Sequence, residues 1–244
     1  MKKLLLALSI VLLTAINCLA TDVTFQDGVS PDASYAGTND CSMQQESGDT
    51  NNGTGTTMLF SDVTNYQDRP VIKFDVSSIP STATIDSAVL SLYANWDTSA
   101  TCAIWVHRIF KAWPIETDVT WNDWDNTALE WTTAGCGNAD DAGSDNSGDA
   151  TGADRTSTAN ATYNKAAWEG GKYQTWTITT LVQGWVNGTM ANNGVRISTD
   201  IGDCITDNGT YSSSENATTA RRPKLVVSYT ASTAILPLVI KNIF

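Results

Sequence analysis

Short runs in which apolar and polar residues alternate are the feature that most limits how this chain can fold. The segment 85–93 places Ala88, Leu90 and Leu92 on one face of an extended strand. The segment 22–27 alternates weakly, 103–110 alternates clearly, and 56–60 and 69–75 are short β-rich runs. Further runs lie at 175–179, 194–199 and 224–229. Because clusters of Gly, Asn, Asp and Ser divide these runs, the sequence predicts an all-β fold, an antiparallel β-sandwich.

One segment departs from this pattern and predicts a short helix at 180–187. Leu181, Val182 and Trp185 share a stripe at helical spacing, and Gly188 is a typical stop. No Pro- or Ser-rich linker divides the chain, and apolar segments run from end to end. We therefore expect one domain.

The charge of the chain excludes one large class of partners. Lys and Arg number 14 against 26 Asp and Glu, which gives a formal net charge of −12. A nucleic-acid backbone requires the opposite electrostatic field, so we expect no DNA or RNA partner. The chain contains a single histidine, His107, which excludes any mechanism that needs two imidazoles.

The amino-terminal residues have the organisation of an export signal. Lys2 and Lys3 precede an apolar run at 4–16 that is too short to span a membrane, and Ala20 suits cleavage. We expect residues 1–20 to be a signal peptide, and the mature protein to be extracellular or at the cell surface, with no membrane span. The alternative is a lipoprotein signal acylated at Cys18, although Asn17 replaces the usual Gly or Ala before it.

Cleavage after Ala20 leaves four cysteines: Cys41, Cys102, Cys136 and Cys204. An even number in an exported protein predicts two disulfides, for which three pairings exist. The alternative is that one or both pairs stay free or bind a metal. The sequence has no Cys-x-x-Cys motif and no Cys/His cluster, so we do not expect zinc.

A series of short motifs runs through the chain between about residues 22 and 230. They are Asp32–Gly37, Arg69–Asp75, Ser78–Pro80, Ile85–Tyr93, Trp113–Asn122 with its Thr-Trp-Asn ending, Thr180–Gly188, Asn193–Gly194, Ser214–Glu215 and Arg222–Tyr229. In content and order this series resembles the DNRLRE domain, a family named from disaggregatase-related proteins and similar to carbohydrate-binding module family 96.

The resemblance implies a β-sandwich of jelly-roll type over residues 21–230, of the sort appended to extracellular polysaccharide-degrading enzymes. It implies a module that binds a polysaccharide or a cell-envelope glycan, and the similarity to family 96 adds acidic polysaccharides such as alginate. A net charge of −12 would repel a polyanion unless a basic patch or a bound cation intervened. The charge therefore favours a neutral glycan, or one bridged by calcium.

Nine tryptophans are many for a chain of this length. Four of them fall on framework positions of the resembling family and are expected in the core: Trp113, Trp121, Trp176 and Trp185. The motifs do not require the other five, which are Trp96, Trp105, Trp124, Trp131 and Trp168.

Sugar rings stack on flat aromatic faces, so the tryptophans outside the motifs are candidates for a binding platform. We expect the first platform at Trp105, with Tyr93 and His107 on outward faces of neighbouring strands. Trp124 and Trp131 flank an acidic segment and are the second candidate. The alternative is that these residues fill a second small core beneath long loops.

Residues 135–160 are rich in Gly, Asp, Ser, Ala and Thr and predict a long surface loop. Four carboxylates in it could bind a structural Ca²⁺, which prefers oxygen ligands: Asp140, Asp141, Asp145 and Asp149. Their spacing fits no EF-hand, and a solvated acidic loop is the alternative.

Glu116 and Asp118 invite comparison with the carboxyl pair of a glycoside hydrolase. However, Glu116 falls in a resembling motif, where capping a turn or pairing with an arginine explains it more simply. His107 has no Ser or Cys motif beside it that would make it a general base. We therefore expect a non-catalytic module, with a polysaccharide lyase or glycosidase as the less favoured alternative.

The apolar tail at 231–244 follows the last expected strand and is too short to span a membrane. An extended apolar segment can pair with the edge of a sheet, in its own molecule or a neighbour's. The tail therefore suggests an alternative function, a structural or adhesive surface subunit that forms homo-oligomers. The alternatives are that the tail is a frayed terminus, or that it forms a last strand packed within its own domain.

For the disulfides we favour Cys102–Cys136 and Cys41–Cys204. Cys102 opens the strand leading into the Trp113 motif and Cys136 closes the segment leaving it, so a bridge would join the two ends of that excursion. Cys41 and Cys204 lie in Asp-, Asn- and Gly-rich segments near opposite ends of the domain.

Overall fold

The structure, a computed structural model, describes residues 20–125, 129–139, 152–199 and 209–231. Its strands are β1 (Ala20–Phe25), β2 (Thr38–Gln44), β3 (Thr57–Val63), β4 (Tyr66–Phe74), β5 (Thr84–Ala94), β6 (Cys102–Arg108), β7 (Asp123–Asp125), β8 (Leu129–Glu130), β9 (Ala161–Lys165), β10 (Lys172–Thr177), β11 (Val195–Ser198), β12 (Gly209–Ser212) and β13 (Lys224–Thr230). Helix α1 spans Thr179–Val186, and two 3₁₀ turns span Glu116–Asp118 and Thr219–Arg221.

Strand β5 is the centre of a first antiparallel sheet. β10 pairs along one of its edges, while β13 and β12 pair with successive stretches of the other. β1 then pairs with β13, and the first half of β3 with β12. β5 has 11 residues, and this length lets it pair with three other strands.

The second sheet is also antiparallel and has the strand order β2–β4–β11–β6–β9. β3 connects the two sheets, because residues 57–60 pair with β12 of the first sheet and residues 61–63 pair with β4 of the second. The short β7–β8 pair stands apart.

The main core lies between the two sheets. Apolar residues from the inward faces of both are buried there, among them Leu90, Leu92, Ile104 and Val106. Trp176 crosses the interface, since its indole Nε1 donates to the carbonyl of Ile104 at 3.0 Å. Alternation along each strand therefore sends its other residues to the outer faces of the sandwich.

A second, smaller core covers part of the outer face of the second sheet. The chain between β6 and β9 folds over that face and packs on Cys41 and Met43 of β2 and Val71 of β4. Its own buried apolar side chains in this core are Ile109, Trp113, Val119, Trp121, Trp131 and Cys136. Residues 155–159 of the same connecting segment line the pocket described below.

The fold class is confirmed as an all-β sandwich with one short helix, and α1 lies within one residue of its predicted position. The ends of the segment 135–160 do not form a surface loop, because Cys136, Ala153 and Asp154 are fully buried. Within the residues that the structure describes, no helix is both long enough and apolar enough to cross a membrane.

Candidate functional site

A pocket of about 440 Å³ lies on the outer face of the second sheet. Strand alternation places its floor: Arg69 comes from β4, Trp105 and His107 from β6, and Arg196 from β11. His107 and Arg196 are direct cross-strand partners. Residues 155–159, which lead into β9, form a wall and contribute Arg155. We call this site the arginine pocket and define it by Arg69, Trp105, His107, Arg155 and Arg196.

Neutral acceptors hold two of the arginines in place. Arg69 donates from Nη1 to the carbonyl of Gly135 at 2.7 Å and from Nη2 to Gln67 Oε1 at 2.6 Å. Arg196 donates from Nη1 to the carbonyl of Cys136 at 2.9 Å and from Nη2 to Ser198 Oγ at 2.9 Å. These contacts fix the guanidinium groups without cancelling their charge.

The backbone around Gly135 is shaped to receive Arg69. Gly135 has a φ of +73°, which favours glycine, and a Cβ there would lie 2.8 Å from Arg69 Nη1. The Arg69 guanidinium also lies over the ring of Trp121, 4.7 Å from its centroid. The second core therefore positions this arginine at the edge of the pocket.

The positive charges influence one another and the histidine. Burial, with the charges of Arg69 and Arg155, lowers the pKa of Arg196 well below its usual value. Burial, with the charges of Arg196 and Arg155, lowers the pKa of His107 to about 3, so its imidazole is neutral at physiological pH. The pocket thus combines three guanidinium groups with an uncharged ring.

A buried carboxylate anchors the wall of the pocket from behind. Asp154 accepts backbone N–H groups of Thr132, Thr133 and Asn138 at 2.8, 3.0 and 2.9 Å. It thereby fixes the segment that supplies the carbonyls of Gly135 and Cys136 to the arginines. Arg69 and Arg155 act on Arg196 more strongly than Asp154 does.

Trp105 supplies the aromatic surface of the pocket. It is partly exposed, and its ring stands edge-to-face with that of His107, the centroids lying 6.4 Å apart. Of the five predicted platform residues, these two are brought together. His107 is almost fully buried, and its Nδ1 lies 3.0 Å from the carbonyl of Thr156.

Tyr93 does not join Trp105, and the expectation of neighbouring strands is wrong. β5 belongs to the first sheet and β6 to the second, so the connection between them crosses the sandwich. The ring of Tyr93 lies edge-to-face with Tyr173 at 5.4 Å, and the Arg221 guanidinium lies 4.9 Å from its centroid. Tyr93 therefore belongs to a separate cluster on the outer face of the first sheet.

The second predicted platform does not form either. Trp131 is buried in the second core and donates from Nε1 to the carbonyl of Thr120 at 3.1 Å. Trp124 is partly exposed and packs against the same core. The alternative of a small core beneath long loops is thus correct for this pair. The four tryptophans expected in the core are buried: Trp113, Trp121, Trp176 and Trp185.

Neither predicted disulfide is present. Cys41 and Cys136 are buried free thiols, so the pairings Cys102–Cys136 and Cys41–Cys204 are both wrong. Each thiol is enclosed by the second core, and each contacts a backbone carbonyl, that of Val119 for Cys41 and that of Asp154 for Cys136. Cys102 is disulfide-bonded, and Cys204 lies outside the described residues.

Glu116 belongs to a carboxyl cluster with Asp40 and Glu215 rather than to a pair with Asp118. Its Oε2 accepts the backbone N–H of Asp40 at 3.2 Å. Burial and the charge of Glu215 raise the pKa of Glu116 to about 7. Burial, with the charges of Glu215 and Glu116, raises the pKa of the enclosed Asp40 well above its usual value. The amide contact supports a structural role for Glu116.

Metal binding finds no support among the residues that the structure describes, where no group of three or more His, Cys, Asp or Glu side chains could hold an ion. The calcium candidates Asp140, Asp141, Asp145 and Asp149 lie outside those residues, as do most of the expected signal peptide and the tail from residue 232 onward.

Sequence reasoning missed the three arginines, which come from segments far apart in the chain. The outward position of Arg69 and Arg196 follows from strand alternation alone. Arg155 lies beside Arg69 and Arg196 because residues 152–160 cross the outer face of the second sheet. No local sequence pattern predicts the course of that segment.

The fold and the pocket define an antiparallel β-sandwich domain with a cationic, aromatic-lined site on one outer face. The family model of the disaggregatase related repeat domain matches residues 40–227, and the chain belongs to this family. Among curated proteins, no sequence matches this chain.

Proposed function

We propose that this protein is a secreted, non-catalytic carbohydrate-binding module that holds an acidic polysaccharide at the arginine pocket. The observation that carries the proposal is the clustering of Arg69, Arg155 and Arg196 beside Trp105 in a chain whose net charge is −12. Positive charge concentrated at one place on an acidic protein is the local basic patch that an anionic ligand requires.

The chemistry of the pocket suits a sugar that carries a carboxylate or sulfate. Guanidinium groups bind such anions through paired, charge-assisted hydrogen bonds, and the fork of the group matches the geometry of a carboxylate. The partly exposed ring of Trp105 offers a face to the C–H surface of a pyranose. An anion and a stacked ring together favour an acidic glycan over a free inorganic anion.

The overall negative charge and the pocket act over different distances. Exposed charges farther apart than a Debye length of about 8 Å are screened at physiological ionic strength, whereas hydrogen-bonded contacts inside the pocket persist. The pocket can therefore bind a polyanion in salt even though the whole molecule repels it at long range.

Affinity electrophoresis and calorimetry on the purified protein test the proposal, with a polyuronate, a sulfated polysaccharide and a neutral β-glucan, each with and without EDTA. We expect binding to an acidic polymer that EDTA does not abolish. Arg155→Gln should weaken it roughly tenfold, the value of one charge-assisted hydrogen bond. Trp105→Ala should weaken it as well.

Arg221→Gln is the matched control, because it removes the same charge from an exposed arginine beside Tyr93 on the opposite sheet. It should leave binding unchanged, and thermal unfolding should confirm that all the variants are folded. Binding to neutral polymers alone, or equal losses in Arg155→Gln and Arg221→Gln, would refute the arginine pocket as the site.

A structural subunit that assembles through residues 231–244 is the second candidate function. One observation favours it: among the described strands, β1 pairs only with β13, so its outer edge can accept another strand. Size-exclusion chromatography with light scattering on the full chain and on a chain lacking residues 234–244 separates the two functions. Oligomers that disappear with the tail would support assembly.

A further inference from the structure

The loop between β9 and β10 presents the most exposed large apolar side chain among the described residues. Trp168 is 70% exposed. Its φ is +57°, a left-handed conformation that is unusual for any residue but glycine. Isolated exposed apolar residues are common, so exposure alone carries no meaning. A tryptophan with a left-handed backbone is unfavourable, so contacts within the surrounding loop must stabilise this conformation.

The carboxylate of Glu169 organises the loop from within. It accepts the backbone N–H of Ala166 at 2.9 Å, the hydroxyl of Tyr163 at 2.8 Å and Lys172 Nζ at 2.6 Å. These hydrogen bonds, with that from Lys172 contributing most, lower the pKa of Glu169 to about 2. The loop therefore keeps this arrangement over the whole physiological pH range.

Backbone contacts attach the loop to the connection between β5 and β6. The N–H of Trp168 donates to the carbonyl of Thr98 at 2.9 Å, and the N–H of Gly170 donates to Asp97 Oδ1 at 3.1 Å. Lys165 Nζ is buried beneath both segments and donates to the carbonyls of Thr98, Ala100 and Ala166. Trp168 is thus presented by a pre-organised frame, as a binding contact requires.

The loop continues directly from the strand beside the arginine pocket. Thr162 of β9 lies opposite Trp105 of β6, and Thr162 and Asn164 are exposed. Trp168 follows Thr162 by six residues, so at 3.4 Å per residue these two residues are at most about 20 Å apart. The step across the β9–β6 pair to Trp105 adds about 5 Å. A polysaccharide chain leaving the pocket along β9 can reach the indole.

We infer that Trp168 forms an outer subsite, where its ring stacks on a pyranose of the same polysaccharide several sugars away from the arginine pocket. This inference rests on the proposed function. Trp168 is the one exposed large apolar side chain of its loop, and its neighbours Asp97 and Glu169 are already hydrogen-bonded within the frame. A single indole suits a stacked sugar ring better than a lipid surface, because membrane binding scales with the apolar area that is buried. The protein therefore distinguishes long acidic chains from short ones.

The test compares a short and a long oligosaccharide of the acidic polymer by calorimetry. Trp168→Ala should weaken binding of the long oligosaccharide roughly three- to tenfold, the value of one aromatic stacking contact. It should leave the short one within about twofold, and Trp168→Phe should retain most of the affinity. Leu129→Ala, at another exposed apolar residue, is the control.

The outcomes separate this inference from the proposed function. Unchanged affinity for the long oligosaccharide in Trp168→Ala, or equal losses for both lengths, would overturn the subsite while leaving the pocket intact. Failure of the unaltered protein to bind either oligosaccharide would overturn the proposed function, and the subsite with it.

Discussion

Arg196 lies opposite His107 in the β11–β6 pair. Burial and the charge of this guanidinium both lower the pKa of His107, so the imidazole is uncharged at neutral pH. We expect the ring C–H signals of this single histidine to stay constant in proton NMR between about pH 5 and 8, where an ordinary histidine titrates. Replacing Arg196 by Gln should raise the pKa of His107. A titration midpoint near 6.5 in the unaltered protein would contradict the geometry.

The same pKa shift contributes to acid sensitivity. His107 is neutral when folded, but in the unfolded chain it binds a proton below its ordinary pKa of about 6.5. Its contribution to the free energy of unfolding is therefore complete above that pH and is lost as the pH falls towards 3. Denaturant unfolding of His107→Gln should show a weaker decline over this window than the unaltered protein does.

The carboxyl cluster acts in the opposite direction. Because folding raises the pKa values of Asp40 and Glu116, the stabilisation from their protonated forms is complete below the ordinary pKa of about 4. The contribution of Glu116 is lost as the pH rises through about 7. Glu116→Gln keeps an acceptor for the Asp40 N–H and removes this loss. Solvent screening of the partly exposed Glu116 reduces the effect, so we expect a gain of about 1 kcal/mol at pH 8.

Denaturant unfolding of Glu116→Gln at pH 8 and at pH 4 checks this prediction. The gain should vanish at the lower pH, where the glutamate is already protonated. Asp118→Asn is the neighbouring control, on the same 3₁₀ turn but outside the contact with Asp40. A loss of stability at pH 8 in Glu116→Gln would show that the carboxylate is needed in its charged form.

The cysteines should behave as one bridge and two concealed thiols. Burial raises the pKa of Cys41 and of Cys136 to about 12, which suppresses the reactive thiolate. A maleimide should label neither in the native protein and both after denaturation without reductant. Non-reducing peptide mapping should recover Cys102 joined to Cys204. Rapid native labelling, or a bridge to Cys136, would contradict this arrangement.

Asp154 should be the most sensitive single position behind the pocket. Asp154→Asn loses a buried acceptor for three backbone N–H groups and leaves at least one of them without it, so we expect a loss of about 2 kcal/mol in the free energy of unfolding. Asp32→Asn, at an exposed carboxylate that accepts from Ser34, should cost much less. Comparable losses of stability in the two variants would show that the hydrogen bonds of Asp154 do not stabilise the fold more than those of an exposed carboxylate.

Strand alternation predicts where the sheets lie but not which strands meet. The runs at 85–93 and 103–110 were predictable because apolar residues recur at every second position, at 88, 90 and 92 and at 104 and 106. β2 was missed because Asp40 and Ser42 are buried on one side of it while Cys41 and Met43 are buried on the other. A strand covered on both faces shows no amphipathic period.

The site was predictable only in part for a related reason. Trp105 could be identified because an outward tryptophan on a regular strand has no packing role in the main core. Tyr93 was joined to it on the assumption that consecutive strands are neighbours, and here the connection passes from one sheet to the other. The left-handed backbone that presents Trp168 has no sequence signature, since glycine is the residue expected at such a position.

Ala20 and Thr230 lie opposite each other where β1 pairs with β13, so the chain enters and leaves the sandwich at one point. A load applied between the two ends would pull across these strands rather than along them. It would break the ladder of hydrogen bonds one pair at a time instead of shearing all the pairs together. A domain tethered through both of its ends would therefore unfold from the β1–β13 pair under small tension. A domain tethered through one end alone would not be stretched.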